Sequence, residues 1–201
     1  METCFELLAE RDTVLKELYK QYGVPYIPSR PQGFVTLCKL ILEQQVSLAS
    51  AKACFLKLEA KLVAITPQNI INATDEELRS CTVSRQKSVY LKELANAVLL
   101  NQIDLDNLSK ISSEEVRNQL IQIKGIGNWT VDVYLMFALG DLDLFPLGDI
   151  ALINTMKELY KCNSTEEMIV ISNAWKPYRS LATYLFWHHY LEKRGRKPLI
   201  Y

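Results

Sequence analysis

Apolar residues recur at helical intervals along almost the whole chain, and nowhere does a period-two alternation last long enough to make a strand. Phe5, Leu8, Leu15, Leu18 and Tyr19 predict one amphipathic helix over residues 3–20. Pro25, Pro28 and Pro31 then forbid helix and make residues 21–33 an extended loop. Phe34, Leu37, Cys38 and Ile41 predict a helix over 34–42. The polar run Glu43-Gln44-Gln45-Val46-Ser47 separates it from a second one marked by Leu48, Ala51, Cys54, Phe55 and Leu58. Thr66-Pro67 and Thr74-Asp75-Glu76-Glu77 are helix starts, Ser84 opens another helix, and residues 101–110 read as a polar connector. The pattern predicts an all-α fold.

The most informative stretch begins at Ser112. Ser112 with Glu115 forms a capping-box pattern that opens a helix running to about Ile121. Gly125 and Gly127 follow, and both are expected to turn the backbone through positive φ before Asn128 starts a helix carrying Trp129, Val133, Met136 and Phe137. The product is helix, hairpin, helix over about residues 113–139. Such a hairpin aims free N–H groups and the positive end of a helix at one point, where an anion fits; equally, its glycines serve a corner between two helices. The pattern argues against a dinucleotide fingerprint, because Thr130 stands three positions after Gly127 and no strand precedes.

Beyond the hairpin, Gly148-Asp149 opens a helix continued by Ile150, Ile153, Met156 and Leu159 to Tyr160. Ser164-Thr165-Glu166-Glu167 caps the next, and a last helix ends around Phe186-Trp187-His188-His189. Asp149 reads as a helix N-cap or as a functional carboxylate, and the two roles are compatible: a helix N-terminus favours the anion, so Asp149 is expected to stay ionised near neutral pH.

Composition narrows the classes. The 201 residues suffice for one compact unit spanning 1–201, with the helices of 149–194 packing on the N-terminal segment. The opening residues are amphipathic and acidic rather than basic and apolar, so a chain without signal peptide or membrane span is expected, soluble, intracellular and cytoplasmic, or nucleoid-associated in a bacterium. The five cysteines are scattered and hold no Cys-x-x-Cys pair, which predicts reduced core thiols and no zinc or iron–sulfur site. The formal charge of zero argues against nucleic acid as a partner unless the cations gather on one face. Arg85 with Lys87 is one such group; Lys193-Arg194-Gly195-Arg196-Lys197 is another, or simply a solvated tail.

Ile123-Lys124-Gly125-Ile126-Gly127-Asn128-Trp129-Thr130, followed by Phe145-Pro146-Leu147-Gly148-Asp149, resembles the signature of the helix-hairpin-helix (HhH-GPD) DNA glycosylases, most closely the alkylpurine or 3-methyladenine DNA glycosylase II branch. Ile41-Leu42-Glu43-Gln44-Gln45-Val46-Ser47 and Ala174-Trp175-Lys176-Pro177-Tyr178-Arg179-Ser180 are similar to two further family segments. The resemblance implies a two-lobed helical fold with the active site in the cleft between lobes and no N-terminal β domain. It also implies a monofunctional glycosylase that flips alkylated purines from double-stranded DNA and hydrolyses the N-glycosidic bond, as a monomer with no cofactor. By the same resemblance Asp149 is catalytic; Gly125, Gly127, Thr130 and Lys87 hold phosphate; Gln45 is the minor-groove wedge; Trp129, Trp187, Gln44 and Val133 line the base pocket. The carbonyls of Ile123 and Gly125 are the positions for a structural monovalent cation. Without the family pattern, Gln44 and Gln45 read as a polar joint before a helix capped by Ser47, and each aromatic reads as core.

The chemistry is consistent with that set. Alkylation at a ring nitrogen puts positive charge on the purine, so the base leaves without strong acid help, and the need is an anion opposite the charge building on the sugar. Electron-rich rings favour a cationic base. Relatives that also cleave the backbone carry a Schiff-base lysine where this chain has Trp129, so the lyase reading is the weaker alternative. A catalytically silent binder of damaged DNA is the other; the absence of basic residues at Ile153-Asn154-Thr155 favours it and Asp149 opposes it.

Overall fold

A computed structural model describes residues 1–197 of the chain; among them there are helices and turns but no strand, and no helix long and apolar enough to cross a membrane. In order the helices are α1 (Glu2–Arg11), α2 (Thr13–Tyr22), α3 (Phe34–Glu43), α4 (Leu48–Leu62), α5 (Pro67–Asn72), α6 (Asp75–Ser80), α7 (Arg85–Leu99), α8 (Ser113–Leu120), α9 (Asn128–Ala138), α10 (Ile150–Tyr160), α11 (Thr165–Ser172) and α12 (Arg179–Glu192). The chain divides into two compact units. One runs Arg30–Leu139; the other joins Met1–Ser29 to residues 140–197.

In the continuous unit, α3 is the central element, packed by α4, α7 and α9. Its sequence explains why: Leu37, Cys38, Leu40, Ile41 and Leu42 are all at most 1% exposed, so the helix is apolar nearly all round. Its entry is fixed from α9, where the Tyr134 hydroxyl accepts the Gly33 N–H at 3.0 Å and Phe137 O accepts the Arg30 N–H at 2.9 Å. Arg30 also makes a two-pronged ion pair with the buried Glu43 (2.8 and 3.2 Å), its guanidinium 5.5 Å from the Phe137 ring centre. Removing one partner of such a pair typically costs about 3–5 kcal/mol, because the other charge is then buried alone.

The discontinuous unit corrects one expectation. Residues 3–20 are two helices, because Asp12 leaves helical geometry (φ −145°) and caps α2, its Oδ1 accepting the N–H groups of Val14 (2.8 Å) and Leu15 (3.0 Å). The apolar period runs through the break undisturbed, so it carried no signal of it. Asp12 also accepts the hydroxyl of Tyr160 and the indole N–H of Trp175, each at 2.9 Å. Burial and the Asp12 carboxylate together push the Tyr160 phenol far above its usual range. Trp175 is fully buried, with Phe145, Tyr160 and Phe186 around it at 5.3–5.8 Å between ring centres. This aromatic cluster is the core against which α1, α2, α10 and α12 gather.

Candidate nucleic-acid interface and active site

The hairpin lies within the continuous unit. The expected capping box is formed: Ser112 Oγ accepts the Glu115 N–H (3.2 Å) while the Glu115 carboxylate accepts the Ser112 N–H (2.9 Å) and hydroxyl (2.7 Å). Those bonds, the hydroxyl's first, hold the Glu115 carboxyl below its usual range. Across the hairpin, Arg117 of α8 pairs with Asp132 of α9 and donates to Asn128 Oδ1 at 3.2 Å, so the two helices are bonded as well as packed.

The two glycines differ, which corrects the expectation of positive φ at both. Gly125 has φ +95°, and a Cβ there would lie 2.1 Å from Cγ of Tyr90. Gly127 has φ −100° and ψ 177°, extended backbone open to any residue, and a Cβ would meet nothing within 4 Å. Gly125 is therefore required by the fold, both by its backbone and by the Tyr90 ring against it. Gly127 is the N-cap of α9 and has no side chain to accept the first-turn N–H groups, leaving that helix end uncapped from its own chain position.

Several of the expected site residues have partners within the chain. Lys87, expected at phosphate, donates from Nζ to Leu42 O at the end of α3 (2.6 Å), and partial burial lowers its pKa. A cation there complements the negative end of the α3 dipole. Thr130, also expected at phosphate, is 2% exposed, with its hydroxyl accepting from Gln44 at 3.1 Å. Gln44, expected at the mouth of a base pocket, gives its amide N–H groups to Thr130 and to Gly125 O (2.8 Å). Val133 is 3% exposed and belongs to the core of its unit, whereas Trp129, on the same face of α9 one turn earlier, is half-buried. Gln45 is exposed and takes the left-handed conformation (φ 57°), unusual for a residue with a side chain, directly after α3. The carbonyls of Ile123 and Gly125 accept hydrogen bonds, from Ile126 N–H (3.0 Å) and Gln44 (2.8 Å), and each keeps one further lone pair.

The other unit holds Asp149. It is the N-cap of α10, and Oδ1 accepts the Leu152 N–H and the Trp187 indole N–H, each at 2.9 Å. Trp187, half-buried, leans on Tyr184 at 5.8 Å between ring centres. Arg179, at the start of α12, grips the Asp143 carboxylate with Nε (2.7 Å) and Nη2 (2.9 Å). Ser180 bonds the same loop through Leu142 O and the Leu144 N–H, each at 2.9 Å. The loop that delivers Asp149 and the helix that carries Trp187 are thus fastened together at the beginning of both. None of this was visible in the sequence, where the partners are 36 to 38 positions apart. In the basic tail, Lys193 pairs with Glu158 and the Arg194 guanidinium lies 3.6 Å from the Tyr190 ring centre.

With this geometry in view, comparison with known proteins is specific. Residues 38–180 match the family model described as HhH-GPD superfamily base excision DNA repair protein. The chain is 36% identical over 126 residues to the alkylbase DNA glycosidase-like protein mag2 of Schizosaccharomyces pombe, covering 61% of this chain and 59% of that one. It is 30% identical over 201 residues to a DNA-3-methyladenine glycosylase of Bacillus subtilis, covering 92% of this chain and 66% of that one. The chain therefore spans about three fifths to two thirds of the length of these two relatives. Among solved structures, the S. pombe 3-methyladenine DNA glycosylase Mag1 in complex with abasic DNA superposes with a TM-score of 0.83 at 26% identity, covering 92% of this chain and 95% of that one.

Proposed function

The chain belongs to the HhH-GPD superfamily of base excision DNA repair proteins, and from that premise we propose that it is a monofunctional DNA glycosylase that releases alkylated purines from duplex DNA. The observation that carries the reading is the Asp149 carboxylate, seated at a helix N-terminus and oriented by the Trp187 indole N–H. Loss of a cationic purine leaves positive charge on the sugar, and a fixed carboxylate stabilises that charge without having to reorganise. Asp149 then orients the water that attacks the sugar: the water's hydroxyl replaces the departing neutral base, its remaining proton passes to the Asp149 carboxylate and on to solvent, and an abasic site is left. No redox or organic cofactor enters this sequence of steps.

In this reading the uncapped start of α9 at Gly127 takes a DNA phosphate, Gln45 enters the minor groove in place of the flipped nucleotide, and Trp129 offers a ring to the base. Trp129 also stands where a Schiff-base lysine would be needed, which supports hydrolysis over backbone cleavage. The enzyme is read as a monomer acting on double-stranded DNA.

The test is to incubate the protein with methylated duplex DNA and identify the released bases, with Asp149→Asn alongside. Release of methylated purines by the wild type and not by the variant supports the reading. Tight binding of methylated duplex with no release by the wild type would instead make the protein a binder of damaged DNA.

A further inference from the structure

Gln44 lies one residue before Gln45, and its side chain is committed to the hairpin. A primary amide has two N–H donors. Both are used within the unit, one on Gly125 O at 2.8 Å and one on Thr130 Oγ1 at 3.1 Å. Only the nitrogen can face a carbonyl, so the orientation of the amide is set by the network, and it has no donor left for a base. Gly125 is held from a second direction by the Tyr90 ring, which occupies the space a Cβ would need. The segment bearing Gln44 is itself pinned: Lys87 bonds Leu42 O at 2.6 Å, and Arg30 grips Glu43.

We propose that Gln44 is a positioning residue that bonds the groove-entering segment at Gln45 to the hairpin, so that the wedge and the phosphate-binding N–H groups act as one body. The inference rests on the reading of the hairpin as a phosphate clamp. Its physical content is that the hairpin's height over the backbone is set by the Gln44 amide as much as by its own glycines. Insertion of the wedge and capture of the phosphate are then a single event, with no entropy lost in aligning two independent pieces.

The experiment is a methylphosphonate scan, in which one phosphate charge at a time is removed from an undamaged duplex and binding is measured for wild type, Gln44→Met and Gln44→Glu. Both variants keep the length of the side chain; Met removes the donors without adding charge, and Glu sets an acceptor against the Gly125 carbonyl. For the wild type, one position should cost about ten-fold in affinity, the scale of a charge-assisted contact. In the variants the loss at that position should fall to about two-fold, with other positions unchanged, because the clamp is no longer held at the height of the phosphate. Thermal unfolding identifies a misfolded variant, and either variant that folds decides the matter. Retention of the full ten-fold loss in a folded variant overturns the proposal, as does a variant that slows base release while leaving the scan unchanged. A wild type insensitive at every position sinks the phosphate-clamp reading itself, and the two failures are told apart by that one lane.

Discussion

The indole N–H of Trp187 and the backbone N–H of Leu152 converge on a single oxygen of Asp149, each at 2.9 Å. One carboxylate oxygen is thereby fixed in direction by two elements, α12 and α10. Trp187→Phe keeps an aromatic ring and deletes this bond. A hydrogen bond to a charged group is worth about 1.5–3 kcal/mol, so kcat for base release should fall roughly 10- to 100-fold with little change in KM. Asp149→Asn should cost about 100-fold or more while DNA binding persists. Near-wild-type turnover by Trp187→Phe would reduce the bond to a packing detail.

The two hairpin glycines should separate cleanly on substitution. Gly125→Ala forces a Cβ into the Tyr90 ring at a φ that side chains disfavour, and should lower the melting temperature by several degrees, as expected of roughly 1–3 kcal/mol of strain. Gly127→Ala should melt like the wild type, since its backbone is ordinary and the added methyl meets nothing. It should nonetheless bind damaged and undamaged duplexes more weakly, and equally so, because a phosphate contact carries no base information. Normal DNA binding by Gly127→Ala would leave that glycine without a function.

Products should be the free base and an unbroken strand that breaks only on later alkali treatment, with no protein–DNA adduct trapped by borohydride. Trapping that vanishes in Lys124→Ala would show that the exposed lysine beside the hairpin reaches the sugar. Trp129→Ala should reduce release of cationic bases more than of neutral ones, since cation–π attraction is lost only for the former.

Acid should loosen the hairpin's first helix. The Glu115 carboxyl is held below its usual range by Ser112, so the capping box contributes stability that is fully present above the unfolded value of about 4.3 and is lost as pH falls through the lower folded value. The difference in urea midpoint between wild type and Glu115→Gln should therefore be constant from pH 7 to about pH 5 and shrink below that. A difference that stayed constant to pH 3 would assign the effect to packing.

Legibility followed sequence distance. The box of Ser112 with Glu115 was readable because capping partners lie three residues apart, and it is formed; at Thr74 the sequence showed a helix start, and the structure adds the return bond from Glu77. The all-α fold was readable because α3 and its neighbours repeat their apolar residues at one period. What could not be read were the side-chain commitments across the fold. Gln44 and Gly125 are 81 positions apart, Lys87 and Leu42 are 45, and no local pattern signals that an amide or an ammonium will be spent on a backbone carbonyl. Gly127 was misread for a different reason: glycine permits positive φ but does not demand it, and only the neighbours of each glycine decide.

Asp12 has its partners Tyr160 and Trp175 148 and 163 positions further along the chain, with the whole of Arg30–Leu139 between them. On a ribosome, that intervening unit is contiguous and has its own core ready to close as soon as it emerges. The first 29 residues cannot close theirs until α10 and the Trp175 turn have been made. The part that carries the hairpin is thus completed early, whereas the seat of Asp149 is among the last pieces to set. A chain stopped before α10 would contain the hairpin's unit in full and lack both the partners of Asp12 and the helix that Asp149 caps.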